Sequence, residues 1–106
     1  MTMIVEERIY TLHPGKVPEM VKLYGEEGLP VQQAYLGKFI GYFTTESGNL
    51  NQIVFMWGFD SLDDRAARRD RMAQDPKWQA YLKKVQPLLL SQENRILKPT
   101  AFSPIR

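Results

Sequence analysis

The stretch Gln52–Phe59 limits most strongly what this chain can fold into, because it alternates like a strand yet is apolar on both sides. Ile53, Phe55, Trp57 and Phe59 fall on one face of the pleat, Val54 and Met56 on the other. Residues 39–45 behave in the same way, with Phe39 and Phe43 opposing Ile40 and Tyr42. A sheet of such strands needs two covers. A chain of 106 residues buries only about two thirds of its unfolded surface in one core, so its helices are expected to cover one face. A second subunit is the economical cover for the other, and a homodimer is expected.

The rest of the chain supplies the partners of these strands. In Ile4–Leu12, Val5, Ile9 and Thr11 alternate with Ile4, Glu6, Arg8, Tyr10 and Leu12, and His13-Pro14-Gly15 closes the strand with turn residues. From Lys16 the period becomes helical through Val17, Met20, Val21 and Tyr24, with Pro18 in the tolerant first turn. Gly25 and Gly28 weaken that helix, and Pro30 interrupts its continuation toward Tyr35. The polar stretch 46–51 reads as the loop of a hairpin. Ser61 with Asp64 three residues on marks a helix start, and Asp75-Pro76 marks another. Trp78, Tyr81, Leu82 and Val85 give the second of these helices an apolar face that Pro87 ends. Residues 93–98 read as the last strand and 99–106 as a tail.

The order strand, helix, strand, strand, helices, strand predicts one α+β domain over residues 1–106. Its form is ferredoxin-like βαββαβ, with a four-stranded antiparallel sheet and helices on one face.

Composition narrows the function. A net charge of +2 from 14 basic and 12 acidic residues is too small for a nucleic-acid footprint. The basic cluster Arg65, Arg68, Arg69 and Arg71 is interleaved with Asp63, Asp64 and Asp70, as on a solvated helix face with i to i+4 pairs such as Asp64 and Arg68. The absence of cysteine excludes disulfides, thiolate metal sites and a cysteine nucleophile, and fits a reducing compartment. No apolar run approaches the roughly 20 residues of a membrane span, and the N-terminal residues enter a strand pattern without a signal-peptide core. A cytoplasmic location is expected. Metal-ligand clusters, a phosphate-binding loop, a dinucleotide glycine fingerprint and a nucleophile elbow are all missing, so no metal or nucleotide cofactor is expected.

The candidate site residues are those whose chemistry does not suit their position. Glu6 and Arg8 share a face of a central strand, where an unpaired ion costs several kcal/mol. Either they form a structural ion pair, with Glu93 or Arg95 as neighbours, or Arg8 and Tyr10 point into a cavity and bind a carboxylate or enolate oxygen. Arg69 falls in a helix stripe with Leu62, Ala66 and Ala73 that should face the sheet, so it either snorkels to the edge or meets a ligand. Tyr42, Trp57, Trp78 and Tyr81 serve as core or line an aromatic pocket. His13, the sole histidine, lies in a turn and reads as a loop residue. Two functions follow: a pocket for a small, partly apolar molecule with an anionic or carbonyl oxygen, held by Arg8, Tyr10, Tyr42, Trp57 and Arg69, or a non-catalytic binding or interaction module.

Several stretches carry a resemblance along nearly the whole chain. They are Glu6, Arg8, Tyr10 with Leu12-His13-Pro14-Gly15, then Leu36-Gly37-Lys38-Phe39, Gly48-Asn49-Leu50-Asn51-Gln52, and Trp57 with Ser61-Leu62 and Arg65. Pro76-Lys77-Trp78 with Tyr81 and Ser91-Gln92-Glu93-Asn94 with Ile96, Leu97 and Pro99 complete the set. Together they resemble the NIPSNAP family. The resemblance implies a dimeric α+β barrel, a fold shared by cofactor-free monooxygenases, isomerases, haem-degrading enzymes and ligand-binding proteins, and it implies no settled reaction. Family members often carry a histidine in the third strand where this chain has Phe55, so an acid and base role for that imidazole does not transfer.

Overall fold

In the computed structural model, which describes residues 3–106, the first half of the chain runs β1 (Ile4–Leu12), α1 (Val17–Leu23), a π-turn (Tyr24–Gly28), α2 (Leu29–Tyr35) and β2 (Lys38–Thr44). The second half runs β3 (Gln52–Phe59), α3 (Leu62–Ala73), α4 (Pro76–Val85), a 3-10 turn (Gln86–Leu88) and β4 (Leu89–Leu97). The strands form one antiparallel sheet in the order β2-β3-β1-β4. This is the α+β, βαββαβ ferredoxin-like arrangement, with the helices on one face.

The residues that alternate inward along β3, Ile53, Phe55, Trp57 and Phe59, are all buried under the helices with Leu12, Met20, Tyr24, Met72, Tyr81 and Val85. Both expected helix starts form. The Ser61 hydroxyl accepts from the Asp64 amide at 3.0 Å, and the Asp75 carboxylate accepts from the Lys77 amide at 2.8 Å. Asp75 also accepts from the Tyr35 hydroxyl at 2.8 Å, which ties the end of α2 to the start of α4.

Four local features differ from the sequence reading. The helix does not break ahead of Pro30; the π-turn absorbs it, with the Leu29 amide reaching back to the Tyr24 carbonyl. Pro30 has no amide to continue the ordinary ladder, so the bonding pattern widens by one residue just before it. Gly28 in this turn lies against α4, where a Cβ would sit 2.6 Å from Tyr81 Cζ. In β2 the register shifts between Phe39 and Gly41. The extra residue, Ile40, reverses the alternation, so Phe39 and Tyr42 share the covered face while Ile40 and Phe43 lie on the open one. β4 begins at Leu89, ahead of the expected residue 93, because the 3-10 turn at Pro87 delivers Leu89 directly opposite Leu12.

The fourth difference concerns α3. Leu62 is 57% exposed, and Ala66 and Ala73 are also exposed. The inward stripe is Arg65, Arg69 and Met72, with Met72 fully buried. Apolar periodicity misplaced the face because what lies beneath the first turn of α3 is a carboxylate, which favours a cation above it.

The open face carries Val5, Ile9, Val54, Met56, Ile40, Phe43 and Leu97, by register with the covered set. Glu7 and Arg95, opposite one another on β1 and β4, pair on this face. The segment after β4 curls back so that Pro99 and Ile105 meet Val5, Ile40 and Met56 around a shallow 230 Å³ depression.

Candidate functional site

β1 is a central strand, and its even-numbered residues face the helices. Glu6, Arg8 and Tyr10 stand opposite Trp57, Phe55 and Ile53 on one side and Ile96, Asn94 and Gln92 on the other. Glu6 is 1% exposed. One of its oxygens, Oε2, accepts from Arg8 Nη1 at 3.0 Å, Arg65 Nη2 at 2.6 Å and Asn94 Nδ2 at 2.8 Å. Burial pushes the carboxyl pKa up, but the bonds from Arg65 and Asn94 and the charges of Arg8 and Arg65 outweigh it and hold the group at about 2. Glu6 is therefore a fixed anion and a poor base.

Arg8 also donates from Nε to the Tyr10 hydroxyl at 3.0 Å, with its guanidinium 5.4 Å from the Tyr10 ring centre. Burial works against its charge, yet Tyr10 and Glu6 together raise its pKa above the ordinary value. Arg65 reaches Glu6 through Nη2, while its Nε is buried without an acceptor among the described residues. Arg69, one turn further along α3, is half-buried and has neither an ion pair nor a hydrogen bond among the described residues. Burial lowers its pKa, and repulsion from Arg8 and Arg65 adds to the effect while Glu6 opposes it. Three guanidinium groups thus gather over one carboxylate, and the unmatched charge is concentrated at Arg69.

The Tyr10 ring forms the boundary between this cluster and an apolar region. It meets Phe55 edge-on, with centroids 5.0 Å apart. Beyond it lies a cavity of about 30 Å³ lined by Tyr10, Tyr24, Phe55, Trp78, Tyr81 and Gln92. Tyr24 stacks on Tyr42 at 4.1 Å and donates to Gln32 Oε1 at 2.5 Å. Burial raises the phenol pKa values of Tyr24, Tyr42 and Tyr81, so none of these ionises near neutral pH.

Of the five residues expected from sequence, Arg8, Tyr10 and Arg69 belong to this cluster, Arg8 bonded to Tyr10 and Arg69 on the inward side of α3. Tyr42 and Trp57 stand behind it on the covered face, Tyr42 against Tyr24 and Trp57 against Phe39 at 5.0 Å. The Tyr42 hydroxyl and Trp57 Nε1 are buried without partners among the described residues. Trp78 and Tyr81 line the cavity. Sequence reasoning missed Arg65 and Asn94. The available signal was the need of Glu6 for donors, which the register of β4 and the turn before Arg69 both supply. His13 is exposed, and its backbone amide donates to the Leu88 carbonyl at 3.0 Å.

A larger depression of 380 Å³ lies beside Lys38, Asp60, Asp64, Arg68 and Arg106. Arg68 there already pairs with Asp64 at 2.9 Å and donates to the Tyr35 carbonyl at 3.2 Å. Among the described residues no group of acidic, histidine or cysteine side chains is placed to hold a metal ion, and no helix is long and apolar enough to cross a membrane.

Comparison with known proteins agrees with this geometry. The NIPSNAP family model matches residues 5–104. A solved NIPSNAP family protein from Agrobacterium tumefaciens is 54% identical, with a TM-score of 0.95 over 98% of this chain and 99% of that one. Human NipSnap homolog 3A is 41% identical over 65% of this chain, and the match spans only 28% of the human protein. A putative antibiotic biosynthesis monooxygenase from Nitrosomonas europaea shares the fold at a TM-score of 0.70, over 98% of this chain and 94% of that one, with 9% identity.

Proposed function

The chain belongs to the NIPSNAP family, and on that premise we propose that it binds a small, partly apolar molecule through an anionic or carbonyl oxygen. The proposed site is the charged cluster between α3 and β1. One observation carries the reading: Arg8 and Arg65 both bond the Glu6 carboxylate, and half-buried Arg69, one turn further along α3, has no protein partner among the described residues. A half-buried cation in such a place calls for an anion. Arg8, Tyr10 and Arg69 contact the ligand, and Tyr42 and Trp57 support the aromatic wall behind it. Glu6, held at about 2, is unsuited to accept a proton at neutral pH. That favours a ligand that arrives ionised over acid and base catalysis, and the protein acts either as a binding protein or as a cofactor-free enzyme whose substrate supplies its own reactivity.

A second copy of the chain covers the open face, in the manner of a dimeric α+β barrel, with residues 1–106 acting as one domain. The apolar set on β1, β2 and β3 supports this, since the helices already occupy the other face. A cysteine-free sequence suits the cytoplasm.

Arg69→Met tests the site, because it keeps much of the apolar stem and deletes the charge. The variant should stay folded and lose about 2 kcal/mol or more of affinity for anionic ligands. Unchanged affinity for every ligand found in a carboxylate panel would remove Arg69 from the site.

A further inference from the structure

Resting on that reading, we propose that the ligand is a short 2-oxo or 2-hydroxy carboxylate, its carboxylate held by Arg69 and its second oxygen by the Tyr10 hydroxyl. The assignment follows from the donors left unused. Arg65 spends Nη2 on Glu6, and its Nε is buried without an acceptor among the described residues. Arg69, four residues along the same helix face, is likewise unused. The paired N–H groups of a free guanidinium suit a planar carboxylate better than a lone carbonyl.

Tyr10 adds the second contact. Its hydroxyl oxygen accepts from Arg8 Nε, so its own proton is the end of that chain and has no acceptor among the described residues. The ring of the same residue lines the aromatic cavity. A ligand held by Arg69 with its tail toward that cavity would lay the atom next to its carboxylate on the hydroxyl. An oxygen on the adjacent carbon is the group placed to accept there. The cavity volume of about 30 Å³ admits a group about the size of one water molecule or a methyl, which sets the tail as short and aliphatic.

Calorimetric titration of the full chain, its Tyr10→Phe and its Arg69→Met variants with 2-oxobutyrate, 2-hydroxybutyrate, butyrate, 2-butanone and phenylpyruvate tests this. Wild type should bind 2-oxobutyrate or 2-hydroxybutyrate about tenfold tighter than butyrate, as one added hydrogen bond allows. Tyr10→Phe should erase that gap, Arg69→Met should weaken all the short acids together, and butanone should not bind. Equal binding of butyrate and both substituted acids by wild type overturns the Tyr10 contact while leaving the anion pocket standing. Phenylpyruvate binding as tightly as 2-oxobutyrate overturns the short tail. Carboxylate binding that is absent, or indifferent to Arg69→Met, overturns the pocket and the proposal together. Should Tyr10→Phe fail to fold, the wild-type comparison of butyrate with its substituted forms still decides.

Discussion

The two faces of the sheet handle charge in opposite ways. The covered face, the drier of the two, holds Glu6, Arg8 and Asn94 among aromatic rings, and α3 adds Arg65 and Arg69 above them. The face without helices is mostly apolar, with Val5, Ile9, Val54, Met56 and Phe43 and the Glu7 and Arg95 pair toward one edge. Burial alone would put the ions outside and the hydrocarbon inside. The proposed dimer and the proposed ligand account for this inversion, the one by covering the apolar open side and the other by matching the interior charges.

The contrast breaks most sharply at its anion. Glu6→Gln leaves Arg8 and Arg65 over a neutral amide and should destabilise the chain by about 3–5 kcal/mol, read from urea unfolding. A loss under about 1 kcal/mol would mean the cluster behaves as a solvated surface. Next comes Met56→Asp on the open face. Light scattering on the native chain should return twice its 12.3 kDa mass, and the substitution should reduce this to the single mass by placing an unpaired charge in the interface. A native chain that is monomeric at micromolar concentration would remove the role given to that face.

Acid should loosen the covered face through Glu6. The Glu6 pKa falls from 4.5 to about 2 on folding, so its contribution is complete above about 4.5 and disappears as pH falls through about 2. That amounts to about 3 kcal/mol. Unfolding midpoints of the native chain and Glu6→Gln should converge over this window, and parallel curves would sink the assignment. The smallest effect belongs to Ser61→Ala, which removes the cap that starts α3 and should cost about 1 kcal/mol. Amide exchange should quicken in the first turn of α3 and leave β3 unchanged.

The element order, the limits of β1 and β3 and both helix caps were legible because each depends on short-range chemistry: pleat alternation, a hydroxyl or carboxylate before a helix, proline in its first turn. Tyr42 could not be assigned its face, since a one-residue bulge at Ile40 inverts parity without leaving a proline or glycine at the inserted position. Arg65 was hidden for a different reason. Its Asp-rich neighbours make α3 read as a solvated surface, and only the carboxylate from β1, 59 residues away in sequence, draws it inward. Asn94 likewise acquires meaning only from the β1 and β4 register.

The π-turn has a bearing on how chain length is read in this fold. It inserts one residue beyond what an uninterrupted α-helix would hold, and each helical residue turns the following face by about 100°. Deleting a single position between Tyr24 and Gly28 would leave a more regular helix, yet would swing Val31 and Gln32, 7% and 4% exposed, away from the interior. Gln32 would no longer meet the Tyr24 phenol, and α2 would need a different sequence to pack again. Length in this segment is thus a specification in its own right: a one-residue gap here, harmless to look at in an alignment, separates chains that must fill their interiors with different side chains.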